Sequence, residues 1–211
     1  MIKTNSLLTI LTVLLAATSS FAKTTMTVDP SSKVTWKGTK KIGSAHNGQI
    51  KIQSGSVTFE KDQPVGAEIT IDMSSLSDDD LTDKEMNTKL VTHLKSGDFF
   101  DAAKYPTAKL NVTKFTKNTD TNYSLDGDLT IKDATKPISL INGAAKPILL
   151  KADLVKNGPD QKVVKSVFTF DRTQFGLKYG SENFFKNLGD KVINDQVEVS
   201  VELTLKAEAK K

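Results

Sequence analysis

Cysteine is absent from this chain, and arginine occurs once, at Arg172. Without a thiol, neither disulfide bonds nor a lipid-modified N-terminal cysteine is available, so the hydrophobic core alone must hold the fold together. Aromatic residues make up only 7% of the chain. That content is too low for the two aromatic girdles of an outer-membrane barrel, an alternative that the sequence therefore disfavours.

The longest apolar run lies near the start of the chain, from Leu7 to Leu15. Lys3 precedes this run, and small residues follow it up to Ser20 and Ala22, as in a secretory signal peptide. The run is too short and too rich in threonine to span a bilayer. We therefore predict cleavage after Ala22, a periplasmic or secreted location, and one mature domain, residues 23–211, without an integral membrane span.

Charge and motif content disfavour several classes of function. The formal net charge is +4, and the basic residues are mixed with acidic ones. The sequence has no basic stretch interleaved with aromatic residues, so it does not predict a nucleic-acid interface. The sequence lacks Gly-x-Ser-x-Gly and His-Glu-x-x-His motifs and a glycine-rich phosphate loop, and its two histidines lie far apart. These absences favour a protein that is not an enzyme and uses no cofactor or metal. An enzyme acting on an isoprenoid or another apolar substrate stays as an alternative.

The clearest pattern of secondary structure runs from Val197 to Ala207, where every second residue is apolar. Side chains alternate across a strand, so this segment is predicted to be a long antiparallel strand with one apolar face. A last strand of this length is typical of the seam of a barrel or sandwich. Gly55, Gly66 and Gly127 are predicted at turns or bulges. Nine further strands are predicted between turn residues: 34–37, 49–53, 56–60, 67–73, 108–115, 123–131, 138–141, 148–154 and 163–170.

One segment, from Asp78 to Ser96, has helical rather than alternating periodicity. Its apolar residues recur at helical spacing, and Gly97 ends the pattern. We predict that Asp78–Asp80 cap the helix N-terminus, because consecutive carboxylates point in different directions and suit a cap or solvent better than a metal ion. A second short helix, predicted at Phe184–Leu188, would cover one end of a barrel.

Several short motifs follow one another along the chain in a recognisable order. They are His46-Asn47-Gly48, Ser96-Gly97-Asp98-Phe99-Phe100-Asp101, Tyr105-Pro106, Gly127–Lys132 with Thr135-Lys136-Pro137, and Asp171-Arg172 with Phe175-Gly176. In this order and spacing the chain resembles the YceI-like family of secreted polyisoprenoid-binding proteins over essentially its whole mature length. Asp133 departs from the pattern, because the family usually carries glycine before the Thr-Lys-Pro turn. The departure concerns the geometry of that turn and not the fold.

The resemblance implies an all-β fold: an antiparallel, lipocalin-like barrel of about eight strands, with one or two short helices covering an end. It also implies the binding, storage or transport of an isoprenoid lipid, such as a quinone tail or a polyprenyl phosphate, in an apolar tunnel inside the barrel. A barrel of this size either just fills its interior or holds one small ligand. A purely structural or stress-response barrel is a further alternative, and whether two copies pair as a homodimer stays open.

Bulky apolar residues supply the predicted tunnel lining, and pairs such as Val57 with Phe59 lie on a common face of their strand. The predicted lipid-binding residues are Trp36, Ile50, Ile52, Val57, Phe59, Leu94, Phe99, Phe100, Phe168, Phe170, Phe184, Phe185, Val199 and Leu203. The same residues suit a solid core equally well, and the sequence does not decide between the two interpretations.

Candidates for contact with a lipid head group are fewer: His46, His93 and Arg172, with Lys40 and Lys41 in a nearby loop. Both histidines also suit purely structural positions. Arg172 stands where lysine would not serve, because a planar guanidinium pairs with a carboxylate through two parallel hydrogen bonds. We predict a structural salt bridge at a strand end, with Asp171 or another acid, in preference to a head-group role.

Overall fold

Ten strands and one α-helix make up most of the described part of the computed structural model, which covers residues 22–138, 151–156 and 160–207, apart from the side chains of Lys151 and Lys156. The strands are β1 (Thr24–Val28), β2 (Lys33–Thr39), β3 (Ala45–Glu60), β4 (Gln63–Asp72), β5 (Thr107–Lys117), β6 (Asn122–Ile131), β7 (Ala134–Ile138), β8 (Lys151–Lys156), β9 (Gln161–Asp171) and β10 (Gln196–Ala207). Helix α1 spans Lys84–Lys95, and 3-10 turns lie at Met73–Ser75, Arg172–Phe175 and Gly189–Lys191.

Three sequence predictions fall partly outside these ranges. The predicted signal peptide lies outside them except for Ala22. Most of the predicted strand 138–141 and the start of the predicted strand 148–154 also lie outside them. Within the described ranges, no helix is both long enough and apolar enough to cross a membrane.

Hydrogen bonds join eight of the described strands into a closed antiparallel barrel. The order around the barrel is β10-β2-β3-β4-β5-β6-β8-β9, and β9 pairs again with β10. β10 pairs with β9 from Gln196 opposite Asp171 to Lys206 opposite Gln161. Its other edge pairs with β2 and with β1, which share one position of the wall between β10 and β3. The prediction of a lipocalin-like antiparallel barrel with the last strand at its seam is confirmed.

β3 is one strand of 16 residues, where the sequence predicts two strands separated at Gly55. A bulge causes the difference: between the pairs Ile52–Ile71 and Ser54–Thr70, one residue of β3 has no partner across the sheet. Residues before the bulge face inward at even-numbered positions, and residues after it face inward at odd-numbered positions. The alternating pattern therefore looks interrupted although the strand is continuous.

Helix α1 begins at Lys84, later than predicted. Its N-cap is Asp83, whose carboxylate accepts a hydrogen bond from the N–H of Met86 at 2.9 Å. The C-cap is Ser96, in agreement with the predicted end. No residue of the helix is fully buried, so α1 covers the barrel end with only one side in contact.

The acidic residues Asp78–Asp80 lie ahead of α1, and the prediction that they cap it is wrong. The N–H of Ser77 donates to the carbonyl of Gln49, and the N–H of Asp79 donates to the carbonyl of Asn47, both at 2.9 Å. Because these bonds tie the segment alongside β3, its backbone groups are not free to start a helix.

The prediction of a second helix at Phe184–Leu188 is also wrong. This segment forms turns, and a short 3-10 turn follows it at Gly189–Lys191. Asn187 adopts a φ of 64° and Gly189 a φ of 58°. These left-handed values interrupt a right-handed helix, which explains the difference.

The apolar faces of the wall strands meet inside the barrel in two adjoining clusters. One cluster surrounds Phe175 and includes Leu94 of α1 at its border. The other surrounds Phe59 and Leu205, towards the opposite end of the barrel. The interior is therefore apolar along its length.

Candidate functional site

A cavity of about 340 Å³ occupies the end of the barrel that α1 covers. Its volume lies within the range of roughly 300–1,000 Å³ that is typical of ligand sites. Apolar side chains from several wall strands line it, among them Trp36, Ile71, Leu110, Phe170 and Val199. Such an interior can bury a nonpolar guest with few polar contacts.

A second cavity of about 70 Å³ lies further along the barrel. The residues that line both cavities are Ile69, Leu110, Phe168, Val201 and Leu203. These side chains mark the boundary, or partition, between two adjoining apolar spaces. An elongated guest that occupies both spaces would have to pass this boundary.

Three rings close over the larger cavity: His93 of α1, Phe99, and Tyr179 in the loop after β9. The His93 ring lies edge-on to both others, with centroid distances of 4.7 Å to Tyr179 and 5.1 Å to Phe99. The Nε2 atom of His93 is 3.1 Å from a carboxylate oxygen of Asp98, which orients the ring. The cluster joins α1 to the loop after β9.

Arg172 is buried beside these rings and uses all five of its N–H donors. One donates to the carboxylate of Asp195 at 3.0 Å. The other four donate, at 2.7 to 3.1 Å, to the backbone carbonyls of Leu177, Tyr179, Ile193 and Asn194. Burial lowers the pKa of the guanidinium, although the carboxylates of Asp195 and Asp171 act to raise it. The side chain ties the loop after β9 to the start of β10 and has no donor left for a head group.

The acidic partner of Arg172 is Asp195, within the predicted choice of Asp171 or another acid, but the predicted two parallel hydrogen bonds are not formed. Asp195 contacts the guanidinium through one nitrogen, not through two parallel bonds. Asp171 instead caps the turn that follows β9, where its carboxylate accepts a hydrogen bond from the N–H of Thr173 at 2.9 Å. A salt bridge at a strand end is present, but backbone carbonyls supply most of the partners. The second oxygen of Asp195 accepts from the hydroxyl of Ser181 at 2.9 Å.

His46 on β3 meets the acidic residues at the edge of the larger cavity. Its Nδ1 atom lies 3.0 Å from Asp80 Oδ2, and the N–H of Asn47 donates to Asp80 Oδ1 at 2.8 Å. Asp78 is buried next to them, and its Oδ1 accepts from the N–H of Leu81 at 2.9 Å.

The two carboxyls of this group differ in their acidity. Burial raises the pKa of Asp78, and the neighbouring carboxylate of Asp80 raises it further. Burial also acts to raise the pKa of Asp80, but the N–H of Asn47, the carboxyl of Asp78 and His46 outweigh it and hold that pKa below its ordinary value.

Gly48 allows the acidic segment to approach His46. A Cβ atom at this position would overlap the carbonyl oxygen of Ser77 and lie 2.9 Å from the Cα of Asp78. Only glycine permits so close a backbone approach. The indole N–H of Trp36 donates to the same Ser77 carbonyl at 3.0 Å. The His-Asn-Gly motif therefore seats the segment against β3.

Comparison with known proteins identifies the family to which this barrel belongs. The chain matches the YceI-like domain over residues 26–205. This chain belongs to the YceI-like family. It is 31% identical over 113 residues to Protein YceI of Escherichia coli O6:H1, which covers 54% of this chain and 51% of that protein. It is 33% identical over 113 residues to a UPF0312 protein of Photorhabdus laumondii, with 54% and 50% covered. The chain thus spans about half the length of the curated relatives that it matches.

Solved structures share the YceI-like barrel. BcnA of Burkholderia cenocepacia superposes with a TM-score of 0.63 at 24% identity, covering 84% of this chain and 98% of that one. A polyisoprenoid-binding domain from Saccharophagus degradans superposes with a TM-score of 0.60 at 15% identity, covering 89% and 99%. At these identities the likeness concerns the fold.

Most of the residues predicted to line a tunnel border the two cavities of this YceI-like barrel. The larger cavity is bordered by Trp36, Ile50, Leu94, Phe99, Phe100, Phe168, Phe170, Val199 and Leu203. Val57 and Phe59 border the smaller one, and Ile52 packs beside it against the core. Of the head-group candidates, the larger cavity is bordered by Lys40, His46, His93 and Arg172. Lys41 pairs with Glu182 at the surface, at 2.8 Å. Contact of these residues with a lipid stays a prediction.

Phe184 and Phe185 border neither cavity, and unlike Ile52 they do not pack against the core. They are 47% and 49% exposed, and the ammonium of Lys178 lies 4.7 Å over the Phe184 ring. Both rings are thus about half exposed at the surface.

Sequence reasoning missed many residues of the cavity wall, among them Ile71, Leu110, Leu90 and Tyr179. Leu90 lies one helical turn before Leu94, and this spacing was a usable signal because both residues share a helix face. Tyr179 lies in a loop without periodicity, and no local pattern indicates its contact with His93.

Proposed function

We propose that this protein binds an isoprenoid lipid, such as an isoprenoid quinone or a polyprenyl phosphate, and stores or carries it in the periplasm without catalysing a reaction on it. The observation that carries the proposal is the apolar cavity of about 340 Å³ beneath α1. Burial of each CH₂ group contributes about 0.8 kcal/mol, so a prenyl chain needs few polar contacts. The shared fold with the polyisoprenoid-binding domain from Saccharophagus degradans supports this class of ligand.

The geometry favours one orientation of the lipid. Several polar residues that border the larger cavity, Lys40, Ser44, His46 and Asn194, lie together around the turn between β2 and β3. Mostly apolar residues line the rest of the space and continue to the partition at Phe168. In this proposal the head group stays at the polar side, and the tail points towards the partition.

Trp36 provides a direct test of binding, because it is the only tryptophan and borders the larger cavity. The mature protein, stripped of bound lipid by solvent extraction, is titrated with a short-chain isoprenoid quinone and with a prenyl phosphate. We expect a saturable change in the indole emission as lipid is added, and a protein–lipid complex in native mass spectrometry. Absence of both, together with absence of lipid in the first extract, would contradict the proposal.

A matched pair of variants separates cavity binding from surface adsorption. Val201 borders both cavities, whereas Val167 on the neighbouring strand is 63% exposed. We expect V201F to weaken lipid binding at least tenfold and V167F to leave it unchanged. Mass analysis of the prenyl phosphate after incubation should show no product, whereas turnover would favour an enzyme.

We also infer that residues 1–22 are a signal peptide and that residues 23–211 form one mature domain. N-terminal sequencing of the exported protein is expected to begin at Lys23. A different first residue would contradict the cleavage site, and retention in the cytoplasm would contradict export.

A further inference from the structure

Three potential metal ligands from two separate segments converge at the edge of the larger cavity. His46 comes from β3, and Asp78 and Asp80 come from the segment between β4 and α1. Their candidate donor atoms, one imidazole nitrogen and two carboxylate oxygens, all lie within 4.8 Å of one another. The convergence arises because the backbone bonds from Ser77 to Gln49 and from Asp79 to Asn47 hold the acidic segment alongside β3.

A second observation points to a missing partner at this place. Asp78 is only 7% exposed, and its Oδ2 atom is buried without a hydrogen-bond partner among the described residues. Its Oδ1 atom, by contrast, accepts from the N–H of Leu81 and the side-chain amide of Asn87, at 2.9 and 3.1 Å. An unpaired buried carboxylate oxygen is costly, so a proton or a cation must satisfy it.

The surroundings contain little positive charge to compensate these carboxylates. In the described part of the chain, Asp80 forms an ion pair with His46, and no lysine or arginine nitrogen lies within 4.0 Å of either carboxylate. Asp79, between the two, turns away and accepts from the side-chain amide of Gln49 at 2.8 Å. Two carboxylates and an imidazole thus face a common point.

We propose that His46, Asp78 and Asp80 bind a first-row divalent cation, with Zn²⁺ as the best match. Imidazole nitrogen together with carboxylate oxygen suits Zn²⁺, whereas Ca²⁺ and Mg²⁺ prefer oxygen ligands alone. Three protein ligands leave one position of a tetrahedral site open. Since His46 borders the larger cavity, a cation here stands beside the polar side of that space.

Neighbouring groups orient the carboxylates in the way that metal sites require. The N–H of Asn47 holds Asp80 Oδ1, and the N–H of Leu81 holds Asp78 Oδ1, so that Asp78 Oδ2 is left for the cation and Asp80 Oδ2 faces His46 Nδ1 at 3.0 Å.

Binding of Zn²⁺ alone tests the proposal. Untagged mature protein, treated with a chelator and dialysed, is titrated with Zn²⁺ by calorimetry, and Co²⁺ is used as a probe with visible absorption. We expect one equivalent bound in the micromolar range or tighter, with much weaker binding of Mg²⁺ and Ca²⁺. We expect H46A, D78N and D80N each to weaken Zn²⁺ binding at least tenfold.

Two variants serve as matched controls. D79N removes the neighbouring carboxylate, and H93A removes the other histidine, which pairs with Asp98. Both are expected to leave Zn²⁺ binding unchanged. Failure of the wild-type protein to bind Zn²⁺ or Co²⁺ would overturn the proposal, as would loss of binding in H93A with retention in H46A. If D78N does not fold, D80N and H46A decide the outcome. The lipid titration is read separately, so either proposal can fail without the other.

Discussion

Arg172 and Asp195 form a buried ion pair at 3.0 Å, in which the arginine keeps no N–H donor for any further partner. The pair lies where β9 ends and β10 begins, the two strands at the seam of the barrel. Its function is therefore to fix the loop between these strands. That loop also carries Tyr179, one of the three rings over the larger cavity.

We expect R172K to lower the free energy of unfolding by at least about 3 kcal/mol in the absence of lipid. A lysine cannot reach the same set of acceptors, and each buried carbonyl left unpaired costs about 1–3 kcal/mol. Urea denaturation of the lipid-free protein measures the change. As a control, K165A breaks an exposed pair with Glu202 at 3.1 Å and should change stability by less than about 1 kcal/mol. Unaltered stability of R172K with loss of lipid binding would show a head-group role instead.

The substitution G127A, which adds a methyl group, is expected to destabilise the barrel by about 2–3 kcal/mol. Its Cβ would overlap the carbonyl oxygen of Asn111 and lie 2.8 Å from the Cα of Val112, both of which are backbone atoms that cannot rotate away. Gly66 faces the same strand, but its Cβ would lie 3.7 Å from the Val112 carbonyl oxygen. G66A should therefore be nearly neutral in thermal denaturation, and equal effects of the two variants would contradict this account.

Removal of the Phe168 side chain is expected to join the two cavities. F168A should lower stability by about 3–5 kcal/mol, because it deletes a large apolar side chain from the wall. It should also shift the preference of the protein from geraniol towards the longer geranylgeraniol in a competition assay read by Trp36 emission. F59A enlarges only the smaller cavity, so it should cost stability without improving the affinity for the longer alcohol. A shift in F59A equal to that in F168A would contradict a partition at Phe168.

The Asp72–Ser74 contact should make a small contribution to stability that depends on pH. The hydroxyl and N–H of Ser74 lower the pKa of Asp72 in the folded state, against the effect of burial. A folded pKa below the ordinary value gives stability that is present at neutral pH and lost as the pH falls below about 4. S74A should be less stable than the wild type by up to about 1 kcal/mol at pH 7, and the difference should shrink at about pH 3. A difference that grows in acid would reverse the sign and refute the assignment.

The strands were largely predictable from the sequence, because alternation of apolar residues is a local property. The end of α1 was predictable for the same reason. The bulge in β3 was not, because one extra residue between Ile52 and Ser54 mimics the end of one strand and the start of another. The start of α1 was also missed, since bonds between Asp79 and β3 outweigh the local preference of acidic residues for a helix N-terminus.

The candidate site was predictable only in part. Residues on inward-facing positions follow from strand periodicity, whereas the meeting of His46 with Asp78 and Asp80 depends on how two distant segments pack. At the turn beside Asp133, the sequence pattern predicts a glycine that the structure does not need. Lys132 adopts a φ of 57°, and Asp133 accepts a hydrogen bond from the hydroxyl of Tyr105 at 3.2 Å, so this hairpin closes without the expected glycine.

The shared wall position of β1 and β2 has a consequence for biosynthesis. Met26 lies opposite Ala207 and Val28 opposite Leu205, so the first strands cannot complete their pairing until the last one has been synthesised. Contacts so distant along the chain form late in folding. The cylinder therefore stays open until nearly all of the chain is available to fold.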